Sequence, residues 1–316
     1  MKRYISLSPL LFVLLAVTSF AQTTIRVAAD SSSGTYNKML GEIIGVCNDD
    51  SLNIVPSNEG GGGATGNLDA LFNNKADAAF LHSDVYLYNA QSDPSYNKFK
   101  TLVAGWPESI HILALRQSIS RKHGTLSFGK QDFNSLSDLS GYTVAAAGGG
   151  VLTGRILSGQ GGGNFTVTDA GSGANVIAML DSGKADAVIF VGAAPLPNIE
   201  KLDKSRYKLL PIGESIAGRV GNVYRPVKIN YPGLTNGPLT TMAPLATILT
   251  RQFSTPEKIS AQARFRACVV KNLPRLQDTG SPNWQDVTAG DHGIASIPWL
   301  DLPATMTPTA SRPTRK

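Results

Sequence analysis

Four short segments of this chain are rich in glycine and hydroxyl side chains. Residues 30–35, 57–66, 147–153 and 169–174 each lead from an apolar, β-prone run into a helical pattern. A helix N-terminus carries backbone N–H groups without partners in the helix and a partial positive charge. Glycine lets a ligand approach that backbone closely, so such a loop can hold an anion without Lys or Arg. Any one of these loops also reads as an ordinary turn; four at equivalent places point to binding. The candidate ligand contacts are Ser31, Ser32, Gly34, Thr35 and Tyr36 in the first loop and Gly62 and Gly63 in the second. Gly149, Gly150 and Thr153 are those of the third. His82, Ser83 and Asp84 follow one buried strand, and Gly192 and Ala193 follow another. Open α/β sheets bind ligands outside such strand ends. Trp106 either stacks on a ligand or packs a hinge. Glu108 opposes an anion, and so suits a ligand that also carries an ammonium group, such as an amino acid.

Other chemistries lack their residues. None of the four histidines has metal-ligand spacing, and two distant cysteines make no zinc site. There is no G-x-S-x-G elbow and no G-x-x-x-x-G-K-[ST] phosphate loop. Residues 61–66 read GGGATG and match the dinucleotide fingerprint G-x-G-x-x-G, with Asp84 near the place of its ribose-binding acid. The match stands in the second strand–helix unit rather than the first, after a loop too long for the tight turn. No cofactor and no metal is therefore expected.

The elements that position these residues alternate strand and helix, which argues for parallel sheets covered on both faces. Residues 25–29, 52–55 and 76–81 read as strands, with helical faces at 39–47 and 68–72 between them. The order returns with strands at 142–146, 165–168 and 187–191, and helices opening at 153 and 176. LFNNKADAAFL (71–81) aligns with LDSGKADAVIF (180–190), and the shared KAD before an apolar strand marks two homologous lobes. Residues 102–115 and 242–250 are apolar and extended, as strands crossing between lobes would be. Ser254, Pro256 and Glu257 then start a helix, with an S-x-x-E capping box, expected to run to about Leu273 before Pro274. The expected division is lobe I over 22–110 and 237–302, lobe II over 111–236, and a disordered Pro/Thr-rich tail at 303–316.

Lys2 and Arg3, an apolar run at 10–17 and the small residues Ser19 and Ala21 predict a signal peptide over 1–21, cleaved after Ala21. The chain is thus expected in the periplasm, with about 295 residues left to fold. The formal charge is +6, but Lys2, Arg3, Arg312, Arg315 and Lys316 lie at the two ends, and without those five the body is near +1. No dense basic cluster precedes the tail, so no nucleic-acid partner is expected. Cys47 and Cys268 are the two cysteines. In an oxidising compartment they suggest one disulfide, with two buried free thiols as the alternative. A final helix docked on lobe I would bring them together.

Taken in order, GTYNKMLGEI (34–43), NLDALFNNKADAAFLHSD (67–84), WPESIHILAL (106–115), LSDLSGYTVAAAGGG (136–150) and KADAVIFVGAAP (184–195) resemble the TAXI family of periplasmic solute receptors, which serve TRAP-type transporters. The resemblance covers about residues 24–275. It implies a type II periplasmic-binding-protein fold, an α/β architecture of two Rossmann-like lobes joined by crossover strands. It further implies closure of the cleft on a ligand and delivery to a membrane permease. It points to glutamate-like amino acids or other small carboxylates. Segment 145–154 lacks the hydroxyl run usual in such receptors, Trp106 stands where Tyr is usual, and the glycines at 60–63 and the tail are unusual. The reading is a monomeric solute-binding protein and not an enzyme. A phosphate or oxyanion receptor of the same fold, or an exported enzyme, are its competitors.

Overall fold

The structure is a computed structural model that describes residues 22–30, 34–59, 61–121, 128–213, 215–220, 223–288 and 297–302. The expected signal peptide, Ser31, Ser32 and the 303–316 tail lie outside the described residues. From the N-terminus, β1 (Thr23–Ala28), α1 (Thr35–Cys47), β2 (Leu52–Pro56), α2 (Gly63–Phe72), β3 (Ala78–His82), α3 (Ser83–Ser92) and β4 (Phe99–Pro107) follow one another. Next come β5 (Ser109–Leu115), β6 (Ser118–Arg121), β7 (Phe128–Gln131), β8 (Thr143–Ala146), α4 (Gly149–Ser158), β9 (Thr166–Asp169), α5 (Gly173–Asp181), β10 (Ala187–Gly192), α6 (Pro197–Glu200), β11 (Tyr207–Leu210) and α7 (Ser215–Arg219). The chain closes with β12 (Arg225–Ile229), β13 (Leu239–Ala243), β14 (Leu245–Arg251) and α8 (Pro256–Thr279).

Two five-stranded sheets result, one in each of two α/β lobes, in orders β2-β1-β3-β14-β4 and β9-β8-β10-β5-β11. In each, three parallel strands are followed by one antiparallel strand that has just arrived from the other lobe. Every residue of β3 is buried, as a central strand covered on both faces requires. On α1, Met39, Leu40, Ile43 and Cys47 recur at helical spacing and face the first core. The second lobe packs separate apolar clusters, built around Ile112 and Val144 and around Leu113 and Val188. These alternating residues show β5 and its neighbours burying both faces.

The lobes are joined where the crossings abut. β4 and β5 meet at Glu108, and β13 and β14 meet at Pro244, whose carbonyl accepts the Glu108 N–H at 2.8 Å. The long extended run expected at 102–115 is therefore two strands in different sheets, broken at the lobe junction.

The repeated KAD has a physical reason. Asp77 accepts the Arg26 N–H at 3.0 Å, and Asp186 accepts the Thr143 N–H at 2.9 Å. Their own N–H groups donate to the Arg26 and Thr143 carbonyls, each at 2.8 Å. In both lobes one aspartate thus closes the entry of the first and third strands. Asn74 and Gly183 hold matching positive φ values of 61° and 70° in the turn just before.

Two helix boundaries differ from expectation. α4 begins at Gly149, not at 153, because the glycines at 149 and 150 already form its first turn. α8 has Thr255 as its N-cap without a side-chain cap, so Ser254 and Glu257 form no capping box; Pro256 takes the first helical position instead. The helix also continues through Pro274 to Thr279, where buried Leu273 and Leu276 hold both sides of the proline against the first core.

α8 docks on the first lobe. Lys258 donates to the Thr24 carbonyl at 2.7 Å, Arg264 to that of Ser51 at 3.0 Å, and Gln262 to Thr250 Oγ1 at 2.8 Å. Cys47 and Cys268 are joined as a disulfide across a separation of 221 residues. The chain-entropy model gives a loop of that length an upper contribution of about 5 kcal/mol. A C47A/C268A double variant is expected to lose several kcal/mol of unfolding free energy in urea. An unchanged midpoint would show that docking of α8 alone holds the helix.

Candidate functional site

A cavity of about 420 Å³ lies between the lobes. The residues immediately preceding α1, α2, α4 and α5 are Gly34, Gly62, Gly148 and Ser172, and all four line it. Ser172 caps its own helix by accepting the Asn175 N–H. The three glycines have no capping side chain, which leaves first-turn N–H groups of α1 and α2 to other acceptors, whereas in α4 the Gly150 and Val151 N–H groups donate to the Ala147 and Gly148 carbonyls, each at 3.1 Å. Four positive helix ends around one cavity form an environment for negative charge.

Gly62 and Gly148 also let the lobes touch. Both have positive φ, 91° and 53°, and a Cβ on Gly148 would lie 2.8 Å from the Gly62 carbonyl oxygen. A Cβ on Gly149 would run into His82 Nε2. A side chain at either site would force the lobes apart.

Beside the cavity lies a buried polar cluster. Asp84 is 0 % exposed. One carboxylate oxygen pairs with His82 Nδ1 and accepts the Val85 N–H at 2.9 Å. The other accepts the Thr153 hydroxyl at 2.7 Å and the Tyr224 hydroxyl at 2.9 Å. Asp84 belongs to α3 of the first lobe, and Thr153 to α4 of the second, so these bonds cross the junction. Burial alone would raise the Asp84 pKa, but the His82 charge and these hydrogen bonds outweigh it and hold it below the usual carboxylate range. For His82 burial likewise opposes the charge, yet Asp84 prevails and lifts the ring above its ordinary value. A second pair lies next to it, in which Glu108 Oε2 accepts the Tyr36 hydroxyl at 2.6 Å. Burial raises the Glu108 pKa above the usual carboxylate value, against the pull of His82 and of the Tyr36 hydroxyl.

Of the residues singled out from the sequence, Gly34, Thr35, Tyr36, Gly62, Gly63, His82, Glu108, Gly149, Gly150 and Gly192 line the cavity. Ser83, Asp84, Trp106, Thr153 and Ala193 do not. Ser83 Oγ accepts the Leu245 N–H at 3.1 Å and so anchors the return crossing. Trp106 packs in the first core beside Tyr36 and Phe80, with ring centroids 6.0 and 6.4 Å away. Asp84 and Thr153 face each other instead of solvent, because a buried carboxylate draws every nearby donor.

Sequence reasoning passed over the apolar part of the wall, made by Val176, Ile189, Val191 and Leu196. Phe190 lies in the same wall, and the continuous apolar run of β10 carries no sign of which residues face a cavity. Leu196 is held from behind by a chain of bonds. Its N–H donates to the Tyr231 hydroxyl at 2.7 Å, and that hydroxyl is 2.8 Å from His111 Nε2. The Tyr231 hydroxyl thus links the Leu196 backbone to the buried His111 ring. Burial accordingly lowers the His111 pKa to about 4. Among the described residues no group of side chains could hold a metal ion.

No family model matches the chain, and no curated protein matches it. Among solved structures it is similar to the amino acid ABC transporter substrate-binding protein AbpA from Streptococcus pneumoniae, bound to L-arginine. Identity there is 13 %, covering 83 % of this chain and 95 % of that one, with a TM-score of 0.46. It is also similar to a putative L-cystine ABC transporter from Listeria monocytogenes, at 16 % identity over 84 % and 99 % of the two chains and a TM-score of 0.46. A third is the GLUR0 ligand-binding core in complex with L-glutamate, at 11 % identity over 81 % and 95 %, with a TM-score of 0.49. At such identities, what each neighbour binds is a property of that neighbour.

Two predictions follow from the buried groups. Removing one partner of a buried charge pair costs about 3–5 kcal/mol, whereas losing one hydrogen bond to a charged group costs about 1.5–3 kcal/mol. Asp84→Asn should therefore destabilise the protein more than Tyr224→Phe in chemical denaturation, and equal losses would contradict a charged His82–Asp84 pair. For His111, the folded pKa of about 4 lies below the unfolded value of about 6.5. The unfolded chain binds the extra proton between those values, so stability falls as pH drops from 6.5 to 4, by at most about 1.4 kcal/mol per unit. His111→Gln, which keeps an acceptor but does not titrate, should flatten the melting temperature across that window.

Proposed function

We propose that this chain is an extracytoplasmic solute-binding protein that captures a small carboxylate or amino acid between its lobes and delivers it to a membrane transporter. The observation that carries this reading is the convergence of four helix N-termini on one interlobe cavity, three of them capped only by glycine. The ligand carboxylate takes the uncapped N–H groups at the start of α1, with Thr35 as a hydroxyl donor. Binding draws the lobes together about the paired crossings at Glu108 and Pro244, and the closed state is the one the transporter meets. The motifs shared with TAXI receptors favour a TRAP-type permease as partner. They also favour export with loss of residues 1–21, and lobes divided as 22–110 with 237–302 against 111–236. The receptor works as a monomer, without cofactor. A receptor rather than an enzyme is favoured because the acid–base groups nearby are engaged with one another, Asp84 with His82, Thr153 and Tyr224, and Glu108 with Tyr36.

Thermal-shift measurements against amino acids, dicarboxylates, keto acids and oxyanions test the reading. A ligand at about 100 times its dissociation constant adds about 2.7 kcal/mol to stability. A shift confined to carboxylates is expected, and Thr35→Ala should reduce it without lowering the melting point of the free protein. A response to phosphate alone would favour the oxyanion receptor. Turnover of the bound solute would favour an enzyme.

A further inference from the structure

The cavity is asymmetric in charge. The first lobe contributes Asp30, His82 and Glu108 to its wall, and the second lobe contributes no charged residue. Among the described residues no Lys or Arg lines it. His82 lines the cavity too, but Asp84 balances its charge, so the pair adds no net positive charge. What remains to hold an anion is the helix ends, each worth roughly half a charge at most. That suffices for one carboxylate. A second carboxylate on the ligand would find no cation and would share the cavity with Asp30 and Glu108.

Glu108 sits close to the anion-binding end. It accepts the hydroxyl of Tyr36, a first-turn residue of α1, so its carboxylate lies one side chain from the N–H groups proposed to hold the ligand. An α-ammonium group, one carbon from an α-carboxylate, meets both requirements together. A keto acid would instead place a carbonyl oxygen, an acceptor, against the Glu108 carboxylate. Toward the second lobe the wall is Val176, Val191 and Leu196, and Leu196 is fixed by the Tyr231 bond. Phe190 lines the same wall, and the Ser172 hydroxyl at the start of α5 is engaged with the Asn175 N–H, so among the described residues no ionised side chain stands at this end, and a cavity of about 420 Å³ accepts a bulky apolar one.

We propose that the ligand is a zwitterionic α-amino acid with a large apolar side chain, its ammonium group on Glu108 and its side chain against Val176, Val191 and Leu196. This rests on the reading of the cavity as a solute site and narrows it away from glutamate-like dicarboxylates. Titration calorimetry of the purified protein with leucine, phenylalanine, glutamate, arginine, 4-methyl-2-oxopentanoate and phosphate tests it. Leucine or phenylalanine should bind at least tenfold more tightly than the other four. Tighter or equal binding of glutamate, arginine or the keto acid would overturn the proposal while leaving the solute-binding reading intact. No binding by any carboxylate would overturn both. Glu108→Gln should erase the preference for leucine over its keto acid. Because that variant also disturbs the Tyr36 bond, Leu196→Arg serves as an independent check, and should shift the leucine-to-glutamate affinity ratio at least tenfold toward glutamate. An unchanged ratio in a folded Leu196→Arg protein would place the side chain elsewhere and sink the assignment.

Discussion

A carboxylate removed from water must be fully paired or it will not stay charged. Asp84 is the place where this chain meets that demand, and the arrangement of its two lobes depends on it. Its partners come from three parts of the sequence. His82 and Val85 flank it, Thr153 comes from the first turns of α4, and Tyr224 from the segment before β12. Only one relative placement of the lobes lets both hydroxyls reach the same oxygen. The cluster thus fixes a register between lobes, a role that apolar contacts, which are non-directional, fill less strictly.

The cavity follows from that register. With α4 held against α3, the glycine turns before α2 and α4 come into contact, and the helix ends line one cleft. Any side chain at Gly148 would meet the Gly62 carbonyl. Glycine here lets two backbones meet. Behind the cavity, the Glu108 N–H bonded to the Pro244 carbonyl ties the two crossings to each other.

The two lobes solve the same local problem in the same way. Asp77 and Asp186 each close the first strand against the third, after a turn of positive φ. Elsewhere the lobes have diverged. The first buries Trp106, Phe80 and Tyr36 together and, among the described residues, carries the charged groups of the cavity wall, while the second offers glycine, Ser172, Phe190 and aliphatic residues. Polar orientation and apolar fit are thereby separated onto opposite walls.

Local patterns were enough to read the alternating strands and helices, the doubled KAD motif, the glycine loops ahead of four helices and the two crossings. Each is a property of a few neighbouring residues: periodicity, turn chemistry, the rules of helix ends. Pairing of Cys47 with Cys268 stayed open in the sequence, because spacing carries no information about proximity across 221 residues. Asp84 and Thr153, whose polar side chains beside a glycine loop read as ligand contacts, proved to be partners of each other. Val176, read only as marking a helix, and Leu196, which no local pattern singled out, line the cavity. Whether a polar group meets a ligand or a neighbour depends on which donors and acceptors lie within about 3 Å of it. Distances between residues 69 or 140 positions apart are set by lobe packing alone, and so tertiary structure decided them.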